Sequence, residues 1–213
     1  MATIGFLHTS PVHVPTFEAL VAELAPATAS VAIVDVALLD RARSSGIDDP
    51  ELLDRLRLAL AELERQGAET IVCTCSTIGG VAEAIGHQQR LPVVRVDRPM
   101  AQRAVELGGR IVVVAALDST LDPTRALLES VAADAGIEPD LGVHLVAGAW
   151  ARFEAGDHEG YLAVIADELV VIAQRCDVIV LAQASMADVA DRVEVGVPVL
   201  SSPRLAVSSL VNP

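Results

Sequence analysis

The sequence predicts an α/β protein made of two pseudo-symmetric lobes, each with a parallel sheet. Three observations carry this. Short apolar runs alternate along the whole chain with longer segments of helical period, the pattern of right-handed βαβ units. Apolar residues make up 52% of the 213, and aromatics only 2%, so the core is Ala, Val, Leu and Ile, as buried parallel strands require. The second half of the chain also repeats the element order of the first.

In order, Thr3 to Leu7 is a strand ending in the polar turn His8-Thr9-Ser10-Pro11. Thr16 can cap a helix with Phe17, Leu20, Val21 and Leu24 on its apolar face. Val31 to Val36 is a strand. Asp48-Asp49-Pro50-Glu51 opens a helix whose apolar face is Leu53, Leu56, Leu60 and Leu63, and Gly67 stops it. A strand at 70–74 is followed by a helix from Ile78 to about Ile85, and Leu91 to Val96 is a fourth strand. Pro99 begins a helix over Met100 to Leu107, ended by Gly108-Gly109. Arg110 to Ala116 is a strand, Thr120 to Ala135 a helix, Val143 to Val146 a weak strand and Gly160 to Arg175 a long helix. Val178 to Leu181 is a strand, about Met186 to Arg192 a helix, Val197 to Leu200 a strand and Pro203 to Leu210 the last helix.

The formal net charge of −14 argues against a nucleic-acid partner, because no basic patch is available for phosphates. Three cysteines make no disulfide framework, and Cys73 and Cys75 lack the second ligand pair of a zinc site. The start MATIGFLHTS lacks the basic region and long apolar run of a signal peptide. The apolar region Tyr161 to Ala190 is broken by Asp167, Glu168, Arg175 and Asp177. A cytoplasmic protein without a membrane association is expected. No Gly-x-Gly-x-x-Gly follows a strand, so no dinucleotide is expected, and no cofactor of any kind.

The chemistry is expected at Thr70 to Gly80, TIVCTCSTIGG. A strand that turns sharply into a helix displays side chains at the carboxyl end of a sheet, where open α/β folds bind ligands. It also aims free N–H groups and the positive end of a helix dipole at that point. Cys75 stands in this corner, where the dipole favours a thiolate and a lowered pKa. Cys73 and Cys176 read as ordinary buried cysteines. Of the histidines, His8 at a strand end is the one kept for the site; His87, His144 and His158 read as surface.

The repeat aligns Ile71-Val72-Cys73-Thr74-Cys75-Ser76 with Ile179-Val180-Leu181-Ala182-Gln183-Ala184, and Ile4 to Thr9 with Ile111 to Ala116. Leu91-Pro92-Val93-Val94 matches Val197-Pro198-Val199-Leu200. Two Rossmann-like lobes follow, their strand ends facing a shared cleft. Residues 1–98 with the C-terminal helix 203–213 form one lobe, and 99–202 the other. Gln183 is the mate of Cys75.

On these residues the sequence resembles the aspartate/glutamate racemase superfamily, whose members carry a catalytic cysteine on each lobe, in Cys-Asn-Thr and Cys-Thr-Xaa motifs. Cys75-Ser76-Thr77 is similar to the first motif, with serine for asparagine. Asp118-Ser119-Thr120 with Pro123-Thr124 resembles the threonine-rich corner that holds a carboxylate, and Asp97-Arg98-Pro99-Met100 resembles a junction between lobes. The resemblance implies catalysis by Cys75 with Gln183 opposite it, and substrate contacts from His8, Thr9, Ser76, Thr77, Ser119, Thr120, Ala184 and Ser185. It implies a small-molecule carboxylate as partner and leaves room for a homodimer or higher homo-oligomer. Gln183-Ala184-Ser185 departs from the second motif. Glutamine neither takes nor delivers a proton at neutral pH. The expectation is therefore a racemase- or isomerase-like enzyme using one base. A lyase or decarboxylase, a cis–trans isomerase of a dicarboxylate, and an inactive carboxylate-binding protein are the alternatives.

Overall fold

The computed structural model describes residues 3–211, so the outermost lobe boundaries expected at 1 and 213 lie outside it. The chain divides into two compact units: residues up to Val96 together with those from Pro203, and Asp97–Ser202.

The first unit holds β1 (Thr3–His8), α1 (His13–Leu24), β2 (Ala29–Val34), α2 (Val36–Ser45), α3 (Pro50–Arg65), β3 (Thr70–Cys73), α4 (Ser76–Gln89) and β4 (Val93–Arg95). All strands run parallel, in the order β2-β1-β3-β4. After α5 (Arg98–Leu107), the second unit holds β5 (Arg110–Ala115), α6 (Leu121–Asp134), β6 (Asp140–Leu145), α7 (Ala149–Glu154), α8 (His158–Ile172), β7 (Val178–Leu181) and β8 (Val199–Leu200). Its sheet is also parallel, in the order β6-β5-β7-β8. Both sheets thus place their first and third strands at the centre. α9 (Ser202–Val211) closes the chain, and Arg204 ties it to Glu23 of α1 at 2.8 Å. Among the described residues no helix is long and apolar enough to cross a membrane.

Local chemistry explains the elements. Asp49 accepts a hydrogen bond from the Leu52 N–H at 2.9 Å and so caps α3, with Pro50 in its first turn. The fully buried stripe of α3 is Leu52, Leu56, Leu60 and Leu63. Leu53, expected in that stripe, is only partly buried at its edge. β1 and β5 are buried on both faces, as parallel strands under helices must be.

Four differences from the expectation have physical causes. α1 begins three residues before Thr16. Asp35, read as part of a strand, instead ends β2 and caps α2 by accepting from the Ala37 N–H at 3.2 Å. α7 carries no capping side chain and only six residues, so it offers little periodicity to read. The helix expected over 186–192 is a 3-10 segment, Ala184–Val189, whose bonds run from Met186 N–H to the Gln183 carbonyl and from Ala190 N–H to the Ala187 carbonyl.

Candidate functional site

Only Thr74 and Cys75 separate β3 from α4. The strand's pairing continues into this turn: the Thr74 N–H donates to the Leu7 carbonyl at 3.0 Å, and the Val96 N–H to the Cys73 carbonyl at 3.0 Å. Cys75 is therefore held at the N-cap of α4 with extended backbone, φ −111° and ψ 112°. Its side chain packs with Leu7, Cys73 and Ile78 in the core on the α3–α4 side of the sheet, and it is 8% exposed.

Burial sets the state of this thiol. It pushes the Cys75 pKa above the ordinary cysteine value. The Thr9 hydroxyl, the Ile78 and Thr77 N–H groups and the Thr77 hydroxyl pull the other way, in that order. The sulfur makes no full capping hydrogen bond, so these donors do not offset the lost hydration. The expected lowering of the pKa is thus reversed: Cys75 rests as a thiol, with donors already aimed at the thiolate it would become. Cys73 is buried as expected, whereas Cys176 is partly exposed rather than buried.

His8 lies on the other face of β1. Its ring stacks on Phe6 at 5.7 Å and meets Phe17 of α1 at 5.5 Å. The Thr74 hydroxyl gives its proton to the Leu7 carbonyl at 3.0 Å, so at 2.8 Å it accepts from His8 Nδ1. That assigns the Nδ1–H tautomer and leaves Nε2 with a lone pair. Burial, reinforced by His13, lowers the His8 pKa to about 4, so the ring is neutral at pH 7. His8 therefore braces the corner from behind, while Thr9, the next residue, acts on the sulfur directly.

Sequence reasoning missed Arg95. Arg95 is 6% exposed, its backbone N–H donates to Glu83 Oε1 at 3.0 Å, and its side-chain Nη2 reaches the Ser76 carbonyl at 3.5 Å. The glycine pair was the available signal. A Cβ on Gly79 would stand 2.9 Å from the Arg95 Cβ, and one on Gly80 3.4 Å from Nη1. The pair lets α4 lie directly on the arginine.

Gln183 occupies the same place in the second unit, two residues past β7 and extended at φ −118° and ψ 141°. Its chemistry differs. Oε1 accepts from the Ala116 N–H at 2.9 Å; Nε2 donates to the Leu117 carbonyl at 3.2 Å and to the Thr120 hydroxyl. Thr120 in turn donates to the Leu117 carbonyl at 2.6 Å. Both amide hydrogens of Gln183 and the hydroxyl proton of Thr120 are committed to tying residues 116–120 to β7. Ser185 meets the buried Tyr161 hydroxyl at 2.9 Å, Ala184 is buried beside it, and Ser119 is half-buried. The expected site residues thus fall into two sets. His8, Thr9, Cys75, Ser76 and Thr77 gather at the carboxyl ends of β1 and β3. Ser119, Thr120, Gln183, Ala184 and Ser185 gather at those of β5 and β7. Among the described residues no group of three or more His, Cys, Asp or Glu side chains could hold a metal ion.

Two parallel-sheet units of matching strand order, each with a corner at the carboxyl ends of its central strands, define the class of two-lobed α/β proteins to which amino-acid racemases belong. A family model described as Asp/Glu/hydantoin racemase matches residues 8–210, and the chain belongs to that family. Solved structures agree in fold. The aspartate racemase of Picrophilus torridus has a TM-score of 0.73 at 16% identity, covering 100% of this chain and 94% of its own. The allantoin racemase of Klebsiella pneumoniae has a TM-score of 0.65 at 18% identity, covering 100% and 86%. The Gly74Cys mutant of arylmalonate decarboxylase, in a sulfate-associated form, has a TM-score of 0.61 at 20% identity, covering 99% and 92%. No curated protein matches the sequence.

Proposed function

We propose that the protein is a cofactor-independent enzyme that transfers a proton at the α-carbon of a small carboxylate, with Cys75 as its one acid–base group. The observation that carries this reading is the inequality of the two corners. Cys75 stands at a helix N-cap with the Thr9 and Thr77 hydroxyls and two N–H groups acting on its sulfur. The corresponding Gln183 has both amide hydrogens engaged within the chain.

Cys75 first releases its thiol proton to solvent; the thiolate then takes the α-proton, the C–H pair becomes the enediolate, and the thiol so formed returns the proton to the same face. The N–H groups of the first turn of α4 favour the anions formed on the way. Gln183 acts as a positioning residue that fixes its own corner through Ala116, Leu117 and Thr120. The protonated resting state of Cys75 favours a second reading within the same chemistry. Loss of CO₂ from a malonate-type acid leaves the C–C pair as an enediolate, and the Cys75 thiol supplies the one proton needed.

Turnover tests the reading. A panel of amino acids, hydantoins, malonates and maleate is incubated in D₂O with wild type and with Cys75→Ala, and α-deuterium uptake and product formation are followed by proton NMR. Loss of the only acid–base group should reduce the rate by roughly a hundred- to ten-thousand-fold. Equal exchange or turnover by Cys75→Ala, or neither α-deuterium exchange nor turnover of any substrate by wild type, contradicts the proposal.

A further inference from the structure

The internal repeat places corresponding residues of the two units side by side for comparison, and they diverge sharply at one spot. In the first unit Gly5 of β1 pairs with Val31 of β2, and Leu7 with Ile33. Val31 and Ile33 are partly buried and pack against the apolar core. In the second unit the matching pairs are Val112 with Gly142 and Val114 with His144. Gly142 has no side chain, and His144 replaces an aliphatic one. Where the first unit is filled, the second has a cavity of about 140 Å³ at the amino ends of β5 and β6, under the end of α8.

The cavity combines two chemistries. Val112 and Ile172 form an apolar floor, and Arg110 and Arg175 line it with His144. The Arg110 guanidinium lies over the glycine, its Nη2 3.8 Å from where a Gly142 Cβ would stand. In a chain of net charge −14, several other arginines are paired with carboxylates, Arg192 with Glu159 at 2.7 Å and Arg204 with Glu23 at 2.8 Å among them. Among the described residues the Arg110 and Arg175 guanidinia make no such pair. The nearby carboxylates are engaged otherwise. Asp177 accepts from the Arg110 backbone N–H at 2.7 Å, and Glu168 lies 3.0 Å from His144 Nε2.

From this we infer that the β5–β6 cavity binds a small organic carboxylate, its oxygens between Arg110 and Arg175 and its apolar body against Val112 and Ile172. Two guanidinia present planar donor forks that match a carboxylate, and the floor favours an acid with a hydrocarbon body over a bare inorganic anion. The site lies at the amino ends of the strands, away from the corners at their carboxyl ends, and stands independently of the role given to Cys75.

Amide NMR tests this with sodium benzoate as the probe, titrated at low salt into the full chain labelled with ¹⁵N. Saturable shifts are expected at Arg110, Gly142, Val143 and His144. The double variant Arg110→Gln/Arg175→Gln removes two charge-assisted contacts and should weaken binding by about tenfold or more. Gly142→Val, which installs the residue the first unit carries, should abolish binding without altering charge. If that variant fails to fold, the arginine variants still decide, since they change only exposed head groups. Inorganic phosphate should bind more weakly than benzoate. Absence of shifts at these residues, undiminished binding by the arginine variants, or phosphate binding as well as benzoate would each overturn the inference.

Discussion

At the scale of single residues, desolvation decides the character of the corner. A helix N-terminus lowers a thiol pKa only while water or donors can compensate the burial; at 8% exposure Cys75 has lost that balance and is pushed up. The motif gave away the position of Cys75 but not its protonation state, because depth of burial is a property of Leu7, Ile78 and the helices above them. His8 shows the same limit. Its place at a strand end is plain in the sequence, while the face it takes, under Phe17 and away from Cys75's side of the sheet, comes from strand alternation and the docking of α1. Its folded pKa of about 4 lies below the ordinary histidine value of 6.5. The unfolded chain therefore binds more protons between these values. Stability from the neutral ring is complete above pH 6.5 and is lost as pH falls towards 4. By pH 5 the wild type should have lost about 2 kcal/mol that a His8→Phe variant does not lose. Urea midpoints of both proteins at pH 7 and pH 5 measure this; parallel losses would contradict the burial account.

At the scale of elements, strands and long helices were legible and short helices were not. The α3 start is written as Asp49-Pro50 and its stripe as leucines at helical spacing, though Leu52 rather than Leu53 leads the buried face. The α2 start was hidden because Asp35 follows an apolar run without a break. The glycines of α4 differ in what they permit. A Cβ on Gly86 would stand 2.6 Å from Val93 Cβ, in the body of β4, whereas one on Gly80 would meet only the tip of Arg95 at 3.4 Å. Gly86→Ala should therefore destabilise by about 1–3 kcal/mol, and Gly80→Ala by much less, because a guanidinium tip can shift. Chemical denaturation of the two variants compares them directly; equal losses would contradict the close packing of α4 on β4.

At the scale of the whole molecule, the repeat is the feature the sequence carried best. Strand orders β2-β1-β3-β4 and β6-β5-β7-β8 match term by term, and Cys75 and Gln183 share one position and one backbone conformation. The repeat does not extend to chemistry: α4 answers to a 3-10 segment, a filled sheet edge to a cavity, and a thiol to an amide engaged by its own chain. That asymmetry is the central claim, and the stereochemistry of proton exchange tests it most directly. Wild type and Cys75→Ala are incubated in D₂O with the same panel of acids, and the α-position is followed by proton NMR and chiral analysis. Deuterium should enter with configuration retained, or in a single configuration after loss of CO₂, and not at all with Cys75→Ala. Rapid formation of both enantiomers of aspartate or glutamate, or exchange that survives the loss of Cys75, would contradict it.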